Sequence, residues 1–142
     1  RTAWVYATHG KNFLLTMLRL AGERDELRVV ADQVGAPTPA AWIADASADI
    51  VRRGVGGSGT WHLVADGETS WHGFAEAIVD EAHALGLIAR KPRVTAIGTA
   101  DYPTPAQRPA YSVLDTAKLR TDFGIAPPDW REGLRRTLGE LR

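Results

Sequence analysis

Residues 1–13, RTAWVYATHGKNF, combine the pattern of a strand with the start of a helix. Four of the five residues from 2 to 6 are β-branched or aromatic, which predicts a strand. Gly10 marks a turn, and Asn12 is placed to be the N-cap of a following helix. A strand leading directly into a helix indicates an α/β fold. Because a core strand needs neighbours, we expect residues 1–6 to join a sheet whose other strands lie upstream of Arg1.

Five helices are predicted where apolar residues recur at helical spacing behind a capping residue. Thr38 is expected to be the N-cap of the second helix, with Pro39 at its first helical position. Asp129 and Glu132 resemble a capping box for the last helix. The five predicted helices begin at Asn12, Thr38, Ser70, Asp115 and Asp129, and the first four end near Gly22, Gly54, Gly86 and Gly124.

Three more segments have strand composition: LRVVADQ (27–33), TWHLVA (60–65) and RVTAI (93–97). The proline-rich segment DYPTPAQRPAY (101–111) is predicted not to be helical, because proline lacks the N–H donor and restricts the residue before it. The order of elements predicts a mixed α/β chain with too few strands for a complete doubly wound sheet.

Composition excludes several classes of function. The 142 residues include 44% hydrophobic residues, 17 Lys and Arg against 17 Asp and Glu, and no cysteine. The balanced charge argues against a nucleic-acid partner, and no apolar run approaches the length of a membrane span. The lack of cysteine excludes disulfides and thiolate metal sites. We expect a cytoplasmic protein that associates with neither nucleic acid nor membrane.

The glycine-rich segment GVGGSG (54–59) has the spacing of a dinucleotide-binding loop but the wrong setting. That loop requires a strand before it and a helix after it, whereas here the predicted order is reversed. We interpret the segment as a helix-to-strand turn. The four histidines show no metal-ligand spacing, and no self-contained catalytic group is predicted.

Four stretches together resemble one enzyme family. They are RTAWVYATHGKNF (1–13), VVADQVGAPT (29–38), GTWHLVADGETSWHGFAEAI (59–78) and DYPTPAQRPAYSVLDTAKL (101–119). In this order and spacing they are similar to the C-terminal half of the dTDP-4-dehydrorhamnose reductases, a family of extended short-chain dehydrogenase/reductases that act on nucleotide sugars. The resemblance covers nearly the whole chain.

The resemblance implies the C-terminal part of an extended Rossmann-type reductase. On this interpretation residues 1–142 form a small mixed helix/strand substrate-binding domain without the cofactor-binding half, and residues 1–6 are a strand of the missing Rossmann sheet. The complete enzyme would reduce dTDP-4-dehydro-β-L-rhamnose to dTDP-L-rhamnose with NADPH or NADH, using an upstream Tyr-x-x-x-Lys pair. Mg²⁺ is a further expectation in relatives. The chain alone is expected to be inactive, to bind no cofactor or metal, and to form a homo-oligomer.

Substrate binding is assigned to five residues. Trp4 is the first candidate, because the matching Trp of the family contacts the sugar; burial in the core is its alternative. Asn12 is a second, with helix capping as its alternative. Gln33 and Thr38 flank a Gly-Pro loop, and Thr38 has the rival role of N-cap. Arg108, on the proline-stiffened segment, is suited to a diphosphate, with a structural ion pair as its alternative.

Two residues depart from the family pattern. Ala7 replaces the usual Gly after Trp-Val-Tyr, and Tyr111 replaces an Asn after Arg-Pro-x. The class of nucleotide sugar is therefore better defined than the sugar itself. Two rival hypotheses remain: a non-catalytic regulatory or binding module of the same fold, which the upstream Tyr-x-x-x-Lys would discriminate, and half a core that binds nothing alone.

Overall fold

The computed structural model describes residues 1–54 and 57–142. The prediction of a turn over GVGGSG includes Val55 and Gly56, which lie outside the described residues. The five helices are α1 (Phe13–Glu23), α2 (Ala40–Arg52), α3 (Trp71–Ala84), α4 (Ala117–Phe123) and α5 (Trp130–Gly139). The six strands are β1 (Val5–Tyr6), β2 (Glu26–Val30), β3 (Val34–Gly35), β4 (Thr38–Pro39), β5 (Thr69–Ser70) and β6 (Arg93–Ile97).

The strands pair two by two in the described residues. β1 runs parallel to β4, β2 runs parallel to β6, and β3 runs antiparallel to β5. The β2–β6 pair is the longest, with a register from Glu26 opposite Arg93 to Val30 opposite Ile97. The prediction of mixed strands and helices is confirmed, as are the strands within LRVVADQ and RVTAI.

The predicted strand TWHLVA is wrong. Residues 60–65 have no regular secondary structure, because successive residues bond to different parts of the chain. The Leu63 N–H donates to the Arg1 carbonyl, whereas the Ala65 N–H donates to the Thr38 side-chain hydroxyl. Within the segment, Val64 and Ala65 are buried. Strand composition here reflects burial without a continuous partner.

Two predicted helix caps are confirmed. The Asn12 side-chain oxygen accepts from the Leu15 N–H at 3.1 Å, and the Ser70 hydroxyl accepts from the Gly73 N–H at 3.0 Å. A third predicted cap, Asp129, accepts from the Arg131 N–H, but the Glu132 half of the predicted capping box is absent from the described residues. The Thr38 cap is wrong, because Thr38 pairs with β1 and the helix begins two residues later, after Pro39. The prediction of no helix over 101–111 holds beyond a short 3₁₀ turn, Thr99–Asp101.

Helix α3 forms the centre of the core. Its apolar face contacts α1 on one side and α5 on another, and it also packs on the β2–β6 pair. The large apolar side chains there are buried. Each Å² of apolar surface that they remove from water stabilises the fold by roughly 25 cal/mol. The buried core residues of α1, α3 and α5 are Leu14, Met17, Ala21, Phe74, Ala75, Ala77, Ile78, Val79, Ala82, Trp130, Leu134 and Leu138.

The opening strand is shorter than predicted and has a partner within the chain. Trp4 adopts φ 51°, a left-handed conformation that is uncommon for a bulky residue, so β1 contains only Val5 and Tyr6. These pair with Thr38 and Pro39 of β4. The expectation that all sheet partners lie upstream of Arg1 is therefore wrong for this edge of the strand. In the described residues, none of the helices combines the length and apolar character needed to cross a bilayer.

Candidate functional site

A groove of about 620 Å³ lies between α1 and β2, with residues of the proline-rich segment along its edge. One wall is formed by side chains of α1 and the other by residues of β2. The aromatic side chains of Phe13 and Trp71 also line the groove. Gln33 and Arg108, two of the predicted site residues, line it together. The lining residues are Phe13, Thr16, Met17, Arg19, Leu20, Arg24, Leu27, Arg28, Val29, Val30, Gln33, Trp71, Tyr102, Thr104 and Arg108.

The aromatic part of the groove is a cluster of three rings, of which Trp4 and Trp71 are stacked and Phe13 is tilted. Trp71 and Phe13 both line the groove, with ring centroids 4.7 Å apart. Trp4 lies directly behind Trp71, with centroids 3.5 Å apart and ring planes within 4° of parallel. The first sequence candidate, Trp4, is therefore half-buried and does not itself line the groove. Trp71 is the indole that lines it.

The orientation of the Gln33 amide follows from a relay of hydrogen bonds. The Thr99 hydroxyl donates its one proton to the Asp32 carboxylate at 2.6 Å, so towards Gln33 it acts as an acceptor. The Gln33 Nε2 therefore donates to Thr99, at 3.0 Å. This fixes the nitrogen on Thr99 and leaves the Gln33 carbonyl oxygen as the acceptor available to a ligand. Such an acceptor suits a hydroxyl or a ring N–H.

Four guanidinium groups line the same groove. The Arg19 side chain is held by Glu23 one turn further along α1, at 2.8 Å. The other three, Arg24, Arg28 and Arg108, form no ion pair within the described parts of the chain. Arginine presents a planar fork of donors that matches phosphate geometry. The groove therefore combines flat apolar surface, an amide acceptor and free cations.

The segment that carries Arg108 is anchored at both ends. At its start, the Thr99 N–H and hydroxyl both donate to Asp32. These bonds hold the pKa of the Asp32 carboxyl below its usual value. At its end, Ser112 N–H donates to the Val34 carbonyl at 2.9 Å, and Val34 N–H donates to the Ala110 carbonyl at 2.8 Å. The prolines between these anchors restrict the backbone further, so Arg108 is exposed yet placed at the rim.

Asn12 and Thr38 lie outside this groove. The Asn12 amide nitrogen donates to the carbonyls of Ala7 and His9, while its oxygen caps α1. All its polar atoms are occupied by the local fold, as the capping alternative expects. Thr38 is fully buried, and its hydroxyl donates to Ala36 and accepts from Ala65. Neither side chain is brought to the groove with Gln33 and Arg108.

Sequence reasoning missed much of the groove wall. Arg28 was not a candidate, although β2 alternates exposed and buried residues with Leu27 and Val29 facing inward. That alternation places the Arg28 side chain on the exposed face of β2, so the sequence pattern alone could have identified Arg28 as an exposed cation. Arg24 sits just after the end of α1, where a cation is common for reasons unrelated to ligands. Its place in the same groove as Arg108 depends on the tertiary fold.

The sequence profile of the family described as RmlD substrate binding domain matches residues 1–142. The chain belongs to the RmlD substrate-binding domain family. It is 51% identical, over 92% of its length, to a dTDP-4-dehydrorhamnose reductase of Burkholderia thailandensis, covering 47% of that protein. It is 46% identical, over 99% of its length, to the Shigella flexneri enzyme of the same name, covering 48% of it.

A solved structure of similar fold is a dTDP-4-dehydrorhamnose reductase of Bacillus anthracis in complex with NADP. It is 35% identical and superposes with a TM-score of 0.89 over 100% of this chain and 47% of that one. The chain spans about half the length of the curated relatives it matches. The family resemblance and the α/β fold class predicted from the sequence are thus confirmed.

Proposed function

We propose that this chain is the dTDP-sugar-binding part of a dTDP-4-dehydrorhamnose reductase. The observation that carries the proposal is that one groove holds together Gln33, Trp71, Phe13 and Arg108, whose guanidinium forms no ion pair with the described residues. A nucleotide sugar offers a flat base, hydroxyls and a diphosphate, and each has a matching group in the groove. The relatives' names supply the identity of the sugar.

The groove contributes binding and orientation, and the chemistry of reduction belongs to other residues. Energy from holding a remote nucleotide can position the sugar ketone for reaction. The Arg108 guanidinium would hold the diphosphate, while the Gln33 carbonyl would accept a hydrogen bond from the base or the sugar. A ligand lying along α1 would displace water from Met17, Leu20 and the aromatic rings.

The NADPH expected for the complete enzyme does not fit this chain. The cofactor's diphosphate needs a strand, a glycine-rich turn and a helix in that order. Within residues 1–54 and 57–142, the segment entering residue 54 is helix α2, and residues 57–65 are irregular. We therefore place the cofactor, with the Tyr-x-x-x-Lys pair, in the remainder of the complete protein. Among the described residues, no cluster of three His, Asp or Glu side chains could hold a metal ion.

The proposal is tested by joining this chain to a cofactor-binding half that carries Tyr-x-x-x-Lys. The complete protein is expected to oxidise NADPH in the presence of dTDP-4-dehydrorhamnose, and residues 1–142 alone are expected not to. Turnover by the chain alone would overturn the assignment of substrate binding to this chain and of reduction to the other half. A complete protein with the Tyr-x-x-x-Lys pair that binds NADPH but leaves this substrate unreduced would overturn the substrate assignment.

A further inference from the structure

Trp4 is the only non-glycine residue with a positive φ angle in residues 1–54 and 57–142. A left-handed backbone is rare for an aromatic residue and persists only where the surroundings enforce it. Here the surroundings are specific. The Trp4 ring lies flat on Trp71, and the Trp4 Nε1 donates to the Ser112 hydroxyl at 3.1 Å.

Ser112 is itself held in place by the sheet. Its hydroxyl donates to the Val34 carbonyl at 3.1 Å, so it must act as an acceptor towards the indole. Its N–H donates to the same carbonyl. Ser112 therefore links the Trp4 ring to β3 through two bonds to one backbone oxygen, and it is the only polar side chain in the described residues that bonds this indole.

Gly35 supplies the space that this ring arrangement needs. A Cβ atom built on Gly35 would lie 2.2 Å from Cε2 of Trp4 and 2.4 Å from its Nε1. Any larger residue would push the ring away from Ser112 or away from Trp71. Three features thus fix the position of the Trp4 ring: its own backbone angle, the hydroxyl of Ser112 and the lack of a side chain at Gly35.

We propose that Ser112 is a positioning residue for nucleotide-sugar binding, which it serves by holding Trp4 against the back of Trp71 so that Trp71 presents a fixed aromatic wall to the groove. The inference rests on the proposed function of the groove. Trp71 has Trp4 on one face and Phe13 tilted against it by 46°. With Trp4 fixed, one face of the Trp71 indole is held by stacking, so the ligand meets a wall that is already ordered.

The first arm of the test measures the stack itself. Two parallel indoles in contact give an exciton couplet in the far-ultraviolet circular dichroism spectrum, and Trp71→Phe identifies that signal by abolishing it. Ser112→Ala is expected to reduce the couplet while the rest of the spectrum keeps its helical shape. Ser47→Ala is the matched control, because Ser47 also donates to a backbone carbonyl but lies exposed on α2.

The second arm measures dTDP affinity by calorimetry on the same folded proteins. Ser112→Ala is expected to weaken binding about fivefold, the effect of one hydrogen bond. Trp4→Phe removes the N–H from the other side of the same bond. The double variant is therefore expected to bind no more weakly than the worse single variant.

The outcomes separate the two claims. An unchanged couplet and unchanged dTDP affinity in Ser112→Ala would overturn the positioning role, and a lowered melting temperature with unchanged affinity would reduce Ser112 to a structural residue. Additive losses in the double variant would also contradict the inference. If the unsubstituted chain binds no dTDP, the proposed function fails. The exciton couplet then decides by itself whether Ser112 orders the Trp4–Trp71 pair.

Discussion

At the scale of single residues, Arg108 carries the most direct prediction. Its guanidinium is exposed at the rim of the groove and forms no ion pair with the described residues. In the complete enzyme, Arg108→Ala is expected to raise KM for the dTDP-sugar about tenfold or more, since a hydrogen bond to a charged group contributes roughly 1.5–3 kcal/mol. The loss in kcat should be smaller, because diphosphate binding is largely uniform between ground and transition states.

Two further variants sharpen that measurement. Arg108→Lys should recover only part of the affinity, because lysine lacks the bidentate fork. Arg142→Ala, at an exposed residue outside the groove, is the control and should leave KM unchanged. A collapse of kcat with unchanged KM in Arg108→Ala would contradict the binding role.

The relay behind Gln33 makes a prediction about Asp32. The Thr99 hydroxyl and N–H hold the Asp32 pKa low, so this carboxylate stabilises the fold above its unfolded pKa and loses that contribution as pH falls through the folded value. Thr99→Val removes the hydroxyl, and the Asp32 pKa is expected to rise towards its ordinary value in a carboxyl-carbon NMR titration. Thr121→Val, at an exposed threonine of α4, is the control. An unchanged Asp32 pKa would show that the Thr99 hydroxyl does not donate to the Asp32 carboxylate.

Tyr6 places an unpaired hydroxyl in the core. Its Oη has no hydrogen-bond partner in the described residues. Burial raises the pKa of the phenol, and the Thr137 hydroxyl, which lies beside it outside hydrogen-bond geometry, offsets only part of that rise. The unfolded chain ionises near pH 10 and the folded chain does not, so the free energy of unfolding should fall above that pH, by up to about 1.4 kcal/mol per pH unit.

The Tyr6→Phe variant isolates that effect. Deleting an unsatisfied buried hydroxyl should leave stability at pH 7 unchanged or raised by about 1 kcal/mol, and should flatten the decline above pH 10. Chemical denaturation at pH 7 and at pH 10.5 measures both. A loss of more than about 2 kcal/mol at pH 7 would mean that the hydroxyl has a partner.

At the scale of elements, Asn12 joins β1 to α1. Its oxygen caps the helix, while its nitrogen ties the helix to the loop through Ala7 and His9. Asn12→Ala is expected to lower the free energy of unfolding by about 1–2 kcal/mol. Asn12→Asp keeps the capping oxygen and loses the donors, so it should cost less than Ala. Equal losses in urea denaturation would show that the two tethers, not the cap, stabilise this junction.

Elements were predictable from the sequence where local chemistry determines them. Asn12 and Ser70 cap their helices because a short polar side chain before an apolar stripe satisfies the first N–H groups. Thr38 has the same local signal, but pairing with β1 outcompetes it. Residues 60–65 have strand composition and are partly buried, yet regular pairing depends on neighbours that local sequence does not reveal. Tertiary contacts override propensity in both cases.

The sequence predicted the kinds of chemical group in the groove, but not the full set of residues that line it. Gln33 was named because it flanks a Gly-Pro loop and Arg108 because a guanidinium on a proline-stiffened segment suits a diphosphate, and the structure places both in one groove. Trp4 was expected to contact the ligand, but it adopts a left-handed backbone conformation and its ring stacks behind Trp71. Backbone conformation of that kind leaves no signature in residue types.

At the scale of the whole molecule, we expect the isolated chain to self-associate. Val5, on the two-residue strand β1, is 44% exposed, and Val51 at the end of α2 is 78% exposed. The net charge is zero, so repulsion between copies is weak. Val5→Lys is expected to shift the sedimentation coefficient towards the monomer. Ala84→Lys adds the same charge at the end of α3 and serves as the control. A strictly monomeric parent chain at high concentration would contradict the expectation.

Binding of a dTDP-sugar in the groove between α1 and β2 can be measured through the five tryptophan indole N–H resonances. Titrating dTDP into the labelled chain should shift Trp71, which lines the groove, and Trp4, which is stacked behind it. Trp130 is buried in the core and Trp61 packs on Phe123, so both should stay in place. Saturable shifts of Trp71 and Trp4 alone are the predicted result. Shifts confined to Trp61 or Trp130, or no shift at saturating dTDP, would contradict binding in this groove.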